Sequence, residues 1–213
     1  MPLPDEKRLL KHQIEELCKR IGYPSDKVGM MQARSGDLHS NAVCTQSSVR
    51  LSEELLEHHK DNNEEILSIV AHELGHWKKS HITKMIVFNT FYMLVFGLLM
   101  IPCIDNENFL ASFNIRMESY FLTMVLFTLL YQRSADVVIR CFIHWLERRN
   151  EYEADRYAVE VGFGEETSRA MIRNFSKNKD IIFVSSIDNF ISSTHPPLLD
   201  RLDKIREATE VMK

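Results

Sequence analysis

Apolar residues near the N-terminus of the chain repeat at helical spacing. A hydrophobic residue recurs every third or fourth position, which predicts a helix with one buried face. The repeat comprises Leu10, Ile14, Leu17 and Ile21. Gly22 and Pro24 follow directly and predict the end of this helix, because glycine and proline terminate helices.

The stretch after this helix favours strands. Residues 28–32 and residues 43–51 each predict a short strand. The sequence Ser35-Gly36-Asp37 between them is typical of a turn. We therefore expect a small sheet in this part of the chain, at an edge of the fold.

A long uncharged run occupies the middle of the chain. Residues 85–104 are 20 positions without a charge, and a helix rising about 1.5 Å per residue crosses a bilayer core of about 30 Å in that length. The alternative is a helix buried in a soluble core, although such helices usually contain shorter apolar runs. Residues 119–132 form a second uncharged run that continues through apolar residues to Trp145, interrupted by Arg133, Asp136 and Arg140. We interpret it as a second, partly polar span, since ionisable residues at membrane depth face a protein or water-filled interior.

The distribution of charge predicts the orientation of this hairpin. Lysines precede the first span and arginines lie late in or after the second, whereas the loop of residues 105–118 is mainly acidic. By the positive-inside rule both ends of the chain are cytosolic. We expect residues 82–148 to form the membrane hairpin with a short lumenal loop, and residues 1–81 and 149–213 to form the two parts of one cytosolic, α-rich domain.

The composition of the 213-residue chain narrows the classes of function. A net charge of −4 argues against nucleic-acid binding, which requires a basic surface. The sequence contains no glycine-rich phosphate-binding motif. Its four cysteines are scattered without a C-x-x-C pair, which is typical of reduced thiols and not of a disulfide framework or a zinc site built from cysteines.

The most informative residues lie on a helix in the first half of the chain. Asn62, with a glutamate three positions later, predicts a capped helix start before an apolar run. Residues 72–76 of that helix read His-Glu-Leu-Gly-His, which matches the H-E-x-x-H motif. His72 and His76 share one helix face and can both bind one zinc ion, and Glu73 is placed to take a proton from water at the metal. The alternative is a pair of histidines on a solvated helix.

An acidic stretch farther along supplies candidates for a third metal ligand, since catalytic zinc usually has three. Glu151 and Asp155 lie one helical turn apart on the same face. One of them can bind the metal while the other orients a ligating histidine. Glu153 points to a different side of the helix and ranks lower. The alternative is an exposed acidic helix.

Other histidines and prolines suggest structural positions. His58 and His59 are expected at an exposed helix end, and His81 follows the motif helix too far along to join its ligand face. Pro196 and Pro197 suit the first turn of a C-terminal helix. The packed face of that helix is predicted to comprise Leu198, Leu202 and Ile205.

Four motifs in order resemble those of the type I CAAX prenyl proteases, a family of integral-membrane zinc endopeptidases that mature prenylated proteins. They are Ser40-Asn41-Ala42, the motif His72 to His76 followed by Trp77, the stretch Glu151-Tyr152-x-Ala154-Asp155, and the stretch Thr194-His195-Pro196-Pro197-Leu198-Leu199-x-Arg201-Leu202. The resemblance covers nearly the whole chain. Members of that family are much longer, so this sequence resembles their C-terminal half.

The resemblance implies a fold and a metal site. The fold would be mainly α, with the membrane helical hairpin carrying a cytosolic zincin-like (gluzincin-type) metalloprotease domain and a small β-sheet. One zinc ion per chain would be bound by His72, His76 and Glu151. Asp155 would be the partner of a zinc-bound histidine.

The resemblance also implies an activity and the residues that assist it. His195 and Arg201 would act near the substrate carbonyl, with Asn41 contacting the peptide backbone and Glu73 as the general base. We expect a protease that cleaves prenylated CAAX-type C-termini at the membrane of the endoplasmic reticulum or nuclear envelope. Its partners would be the prenylated protein or peptide and membrane lipid.

Two alternatives to this activity stay open. A heat-shock-type quality-control protease of membranes shares the zinc motifs, although Trp77 after the second histidine favours the prenyl-protease branch. The other alternative is a truncated scaffold without catalytic activity that binds prenylated or membrane partners.

Overall fold

The computed structural model describes residues 7–31, 42–45, 47–106, 108–116, 119–178 and 193–212. The helices are α1 (Arg8–Ile21), α2 (Glu53–His58), α3 (Asn63–Lys78), α4 (His81–Ile104), α5 (Asn108–Ala111), α6 (Tyr120–Glu160), α7 (Gly164–Asn178) and α8 (Leu198–Val211). The strands are β1 (Val28–Met31), β2 (Ala42–Cys44) and β3 (Val49–Ser52). A mainly α fold with a small sheet, as the sequence predicts, is therefore confirmed.

Helix α1 forms one wall of the core and ends as its sequence predicts. The four apolar residues of its predicted face are all buried. Gly22 follows in the left-handed region with φ of 82°, and its N–H donates to the carbonyl of Cys18. Glycine adopts this conformation without the steric cost that a Cβ would bring. The buried face packs with the sheet and α3 around one hydrophobic core.

The sheet has the strand order β1-β3-β2. Strand β1 pairs with β3 in parallel, and β2 pairs with β3 in antiparallel. The prediction of one strand over residues 43–51 is wrong, because the chain reverses between β2 and β3. The Thr45 N–H donates to the carbonyl of Ser48 at 2.8 Å, and the Ser48 N–H donates to Oγ1 of Thr45 at 3.0 Å. These polar side chains satisfy the backbone of the turn, which a continuous strand would leave to a neighbour.

Helix α3 begins at the predicted cap. The Asn62 side-chain oxygen accepts from the N–H groups of Glu64 and Glu65, which satisfies two of the free donors at the helix start. The prediction of an exposed histidine pair before this helix is wrong for His59, which is 0% exposed. Its Nδ1 lies 2.7 Å from Oε2 of Glu65 and its Nε2 lies 2.8 Å from Oδ1 of Asn174, so both ring nitrogens are engaged.

Helices α4 and α6 form the apolar hairpin that the sequence predicts. Ring contacts join them, with centroids 5.3 Å apart for Phe88 and Phe142 and 5.0 Å apart for Phe96 and Tyr131. Helix α4 is long and apolar enough to cross a membrane. Helix α6 consists of two segments, Tyr120–Ser134 and Val137–Glu160, with a bend of 56° between them, and the two together are long and apolar enough for a second span. The outward face of α4 carries large apolar side chains that are 61–67% exposed, as lipid contact would require. They include Val87, Phe91, Leu94 and Leu98.

Helix α6 joins this hairpin to the rest of the fold. It runs across the predicted domain boundary between residues 148 and 149, and its last turns pack against α3, α7 and α8. The C-terminal helix α8 starts at Leu198, directly after Pro197, and buries Ile205. The bent helix α6 therefore carries apolar positions at one end and the predicted acidic ligands at the other.

Candidate metal centre

The centre lies where α3 crosses the last turns of α6. The crossing is close because Gly75 has no side chain and faces Ala154, which has a small one. On either side of this contact α3 presents the motif histidines and α6 presents Glu151 and Asp155. Two residues with little or no side chain thus bring four polar side chains into one buried site.

Three ligand-type residues converge here. His72 Nε2 and His76 Nε2 are 3.2 Å apart. Oε2 of Glu151 lies 3.7 Å from Nε2 of His72, and Oε1 of Glu151 lies 3.4 Å from Nε2 of His76. Ligands bound to tetrahedral zinc at about 2.0–2.2 Å are separated by about 3.3–3.6 Å. The spacing and the two-nitrogen, one-carboxylate donor set therefore fit one zinc-sized metal ion.

Asp155 lies beside Nδ1 of His72, at the edge of the ring away from Nε2. Its Oδ1 is 2.9 Å from Nδ1 of His72, although the ring N–H is not aligned with the oxygen. Arg201, from α8, donates through Nε and Nη2 to the two oxygens of Asp155 at 2.8 and 2.7 Å. Burial acts to raise the pKa of Asp155, but the Arg201 charge and the contact with His72 hold it below its usual value. The carboxylate is thus kept ionised beside the ring.

Glu151 is held by the same guanidinium and by His195. Nη1 of Arg201 lies 3.1 Å from Oε2 of Glu151, and Nδ1 of His195 lies 3.3 Å from the same oxygen. Burial opposes ionisation of Glu151, but the hydrogen bonds from His195 and His76 and the charge of Arg201 hold its pKa well below its usual value. The hydrogen bond to Glu151 in turn raises the pKa of His195. The structure brings every described member of the predicted site except Glu73 into one contact network.

Glu73 lies between the two histidines in sequence and is half-buried on α3. Its charge reaches Cys44 on β2: burial, and then the Glu73 carboxylate, raise the pKa of that thiol to about 12. The predicted base therefore lies near enough to β2 for its charge to reach Cys44. Asn41, which directly precedes β2, lies outside the described residues.

His81 contacts the centre and Glu153 contacts His81, whereas the sequence analysis placed neither residue next to the site. Nδ1 of His81 lies 3.0 Å from Nδ1 of His76, and Nε2 of His81 lies 3.2 Å from Oε2 of Glu153. The sequence predicts that His81 follows the motif helix too far along to join its ligand face. Instead Ser80 adopts a left-handed conformation with φ of 56°, which ends α3 and turns His81 back toward the site. The polar pair Lys79-Ser80 was the available signal for that break.

Comparison with known proteins identifies the family. The sequence profile of peptidase family M48 matches residues 4–209. Because that match covers almost the whole chain, the protein belongs to peptidase family M48.

The chain is similar to several named members of that group. CAAX prenyl protease 1 of Saccharomyces cerevisiae is 27% identical over 232 residues, covering 100% of this chain and 50% of the relative. The CAAX prenyl protease 1 homolog of Homo sapiens is 27% identical over 249 residues, covering 96% of this chain and 51% of the relative. The crystal structure of S. mikatae Ste24p superposes with a TM-score of 0.84 at 27% identity, over 96% of this chain and 51% of that one. The chain spans about half the length of the relatives it matches.

Proposed function

We propose that this chain carries the catalytic centre of a zinc metalloendopeptidase that cleaves prenylated, CAAX-type C-termini at a membrane. The observation that carries the proposal is that His72 Nε2 and His76 Nε2 lie 3.2 Å apart and converge on the Glu151 carboxylate, whose Oε2 is 3.7 Å from the first and whose Oε1 is 3.4 Å from the second. The substrate class is taken from similar proteins that are named CAAX prenyl proteases.

In this proposal His72, His76 and Glu151 hold the zinc ion. Bound zinc supplies Lewis-acid polarisation of a water molecule and of the scissile carbonyl. Oδ1 of Asp155 lies 2.9 Å from Nδ1 of His72, and an ionised carboxylate at that distance favours the proton on Nδ1, which leaves the lone pair of Nε2 available for a metal. Ionised Glu151 contributes the negative charge of the ligand set.

Glu73 is the proposed general base. It takes a proton from the attacking water and gives it to the leaving amine, so one carboxylate serves both halves of the reaction. Its half-buried position on α3, near enough to Cys44 of β2 for its charge to reach that thiol, supports this role because the peptide is proposed to bind along β2.

His195 and Arg201 have different proposed roles, one toward the substrate and the other toward the two carboxylates. The His195 side chain is 68% exposed and reaches Glu151 through Nδ1, so it lies at the rim of the centre and can donate to the carbonyl oxygen as negative charge develops. Arg201 was expected near the same carbonyl. Its three nitrogens contact Asp155 and Glu151, which favours positioning of the two carboxylates over direct donation to substrate.

The peptide is proposed to bind in extended form along the sheet. Within the described sheet β2 is an edge strand, so its outer backbone groups are available to pair with an added strand. Asn41 precedes that strand and is proposed to contact the peptide backbone. A prenyl group would enter the lipid around α4 and α6. The positive-inside rule supports a centre on the cytosolic side of the proposed membrane, that of the endoplasmic reticulum or nuclear envelope.

Cleavage of a matched peptide pair tests the proposal. The full chain, purified into lipid nanodiscs and loaded with zinc, is given a CAAX peptide with a farnesylated cysteine and the same peptide with a free cysteine. We expect cleavage of the farnesylated peptide, and no cleavage by the Glu73→Gln control. Equal cleavage of both peptides would favour the quality-control protease, and binding of the farnesylated peptide without cleavage would favour the scaffold.

A further inference from the structure

The two metal-binding histidines are supported in different ways. Nδ1 of His72 lies directly against the carboxylate of Asp155. Nδ1 of His76 faces another histidine, His81, and that ring in turn faces the carboxylate of Glu153. The second arrangement therefore joins three helices, through His76 of α3, His81 at the start of α4 and Glu153 of α6.

The positions of the protons in this chain follow from donor and acceptor accounting. If Nε2 of His76 gives its lone pair to the metal, its proton must lie on Nδ1, which donates to Nδ1 of His81 at 3.0 Å. Nδ1 of His81 must then be the acceptor, so the proton of a neutral His81 ring lies on Nε2. That N–H faces Oε2 of Glu153 at 3.2 Å, so each nitrogen has a partner of the right kind.

We propose that His81 and Glu153 are positioning residues that fix the tautomer and orientation of the His76 ring for metal binding. The inference rests on the proposed zinc centre and adds two residues that do not bind the metal: His81 contacts His76, and Glu153 contacts His81. In many metal sites a ligating histidine donates its second N–H to a carboxylate, and loss of that partner weakens metal binding about 10–100-fold. Here a histidine is inserted between ligand and carboxylate.

The surroundings hold this pair in place. The His81 ring is 2% exposed, and its plane meets that of His76 at 79° with centroids 5.1 Å apart. The second oxygen of Glu153 accepts from Nε of Arg149 at 3.1 Å. Ser80, directly before His81, adopts the left-handed conformation with φ of 56°, at the break between α3 and α4.

Zinc affinity of the full chain tests the pair. Dissociation constants are measured by competition with a chelator for the wild type and for His81→Leu, His81→Asn and Glu153→Gln. We expect His81→Leu to weaken zinc binding about 10–100-fold. His81→Asn should recover much of the loss because its amide oxygen can accept near the position of Nδ1, and Glu153→Gln should fall between the wild type and His81→Leu. If His81→Leu does not fold, the other two variants still decide the question.

A matched control separates positioning from general stability. His59 is also a buried histidine with two ring partners, but those partners are Glu65 and Asn174. His59→Leu should lower the thermal unfolding temperature of the metal-free chain and leave zinc affinity unchanged. Wild-type affinity in His81→Leu, or equal weakening in His59→Leu, would overturn the inference. A wild-type chain that binds zinc but cleaves no peptide would overturn the proposed activity alone, and one that binds no zinc would overturn both.

Discussion

Gly75 on α3 packs against Ala154 on α6 so closely that even a methyl group at position 75 would be tightly crowded. A Cβ at Gly75 would lie 3.1 Å from Cα and 3.2 Å from the carbonyl oxygen of Ala154. Both are backbone atoms, which cannot rotate out of the way. Because the motif histidines lie on α3 and Glu151 lies on α6, this single contact sets the distance between the two halves of the metal centre.

The substitution Gly75→Ala tests that contact. A methyl group there pushes the helices apart by a few tenths of an ångström, so we expect weaker zinc binding and lower peptidase activity. Overpacking costs about 1–3 kcal/mol and cancels or exceeds the gain of about 1 kcal/mol in helix propensity. Chelator competition and thermal unfolding measure the two effects.

Gly97 on α4 offers a matched control, since a Cβ there would meet nothing within 4 Å. Gly97→Ala should leave zinc binding unchanged. If Gly75→Ala bound zinc as tightly as the control and was equally stable, the close crossing would not determine the geometry of the centre.

The buried network around Glu65 predicts a large loss of stability. Oε2 of this residue contacts His59 at 2.7 Å and Arg173 at 3.2 Å, and its Oε1 accepts from Asn62 at 3.0 Å. Removing the carboxylate leaves the fully buried His59 ring without one of its two partners, and an unsatisfied buried polar group costs about 1–3 kcal/mol. We expect Glu65→Ala to lose stability on this scale in denaturant unfolding. Glu64→Ala, at an exposed first-turn position, should lose less than about 1 kcal/mol; similar losses in both would contradict the network.

His195 is expected to act in the transition state. His195→Ala should lower kcat about 100-fold or more, with zinc content unchanged and KM little altered, because a donor to the developing oxyanion is lost. If the residue served only to support the start of α8, the variant would lose up to about 2 kcal/mol of stability and keep its turnover per folded molecule. Normal kcat in the zinc-loaded variant would remove His195 from the mechanism.

The membrane hairpin predicts which side of the bilayer each segment faces. Cysteine introduced at Ala111, an exposed residue between α4 and α6, should react with an impermeant maleimide only from the lumenal side. Cysteine at Lys19, an exposed position on α1, should react only from the cytosolic side. Native Cys18 should stay unlabelled near pH 7, because burial raises its pKa to about 11 and leaves little thiolate. Cytosolic labelling at position 111 would overturn the hairpin.

Local patterns explain why much of the fold was predictable. The apolar repeat of α1, the cap at Asn62 and the uncharged run of α4 each depend on neighbouring residues, so the sequence alone predicts them. The spacing of His72 and His76 likewise needs only helical geometry. The hairpin at Thr45 was missed because its turn is stabilised by side-chain hydrogen bonds that a strand pattern does not indicate.

Contacts between distant elements account for the rest. The burial of His59 depends on α7, which lies more than 100 positions later, and no local pattern indicates it. The contact between His81 and His76 depends on a left-handed residue, Ser80, that composition does not require. The choice between Glu151 and Asp155 as the third ligand depends on how α6 rotates against α3 at Gly75, which spacing along one helix leaves open.

The number of zinc ions bound by each chain tests the central claim most directly. Metal analysis of the purified full chain should give one zinc ion for the wild type and close to none for Glu151→Gln. Glu73→Gln should keep its zinc ion, because the base is not a ligand, and should lose all turnover. A wild-type chain without zinc, or equal loss of zinc in the Glu73 and Glu151 variants, would contradict a centre built from His72, His76 and Glu151.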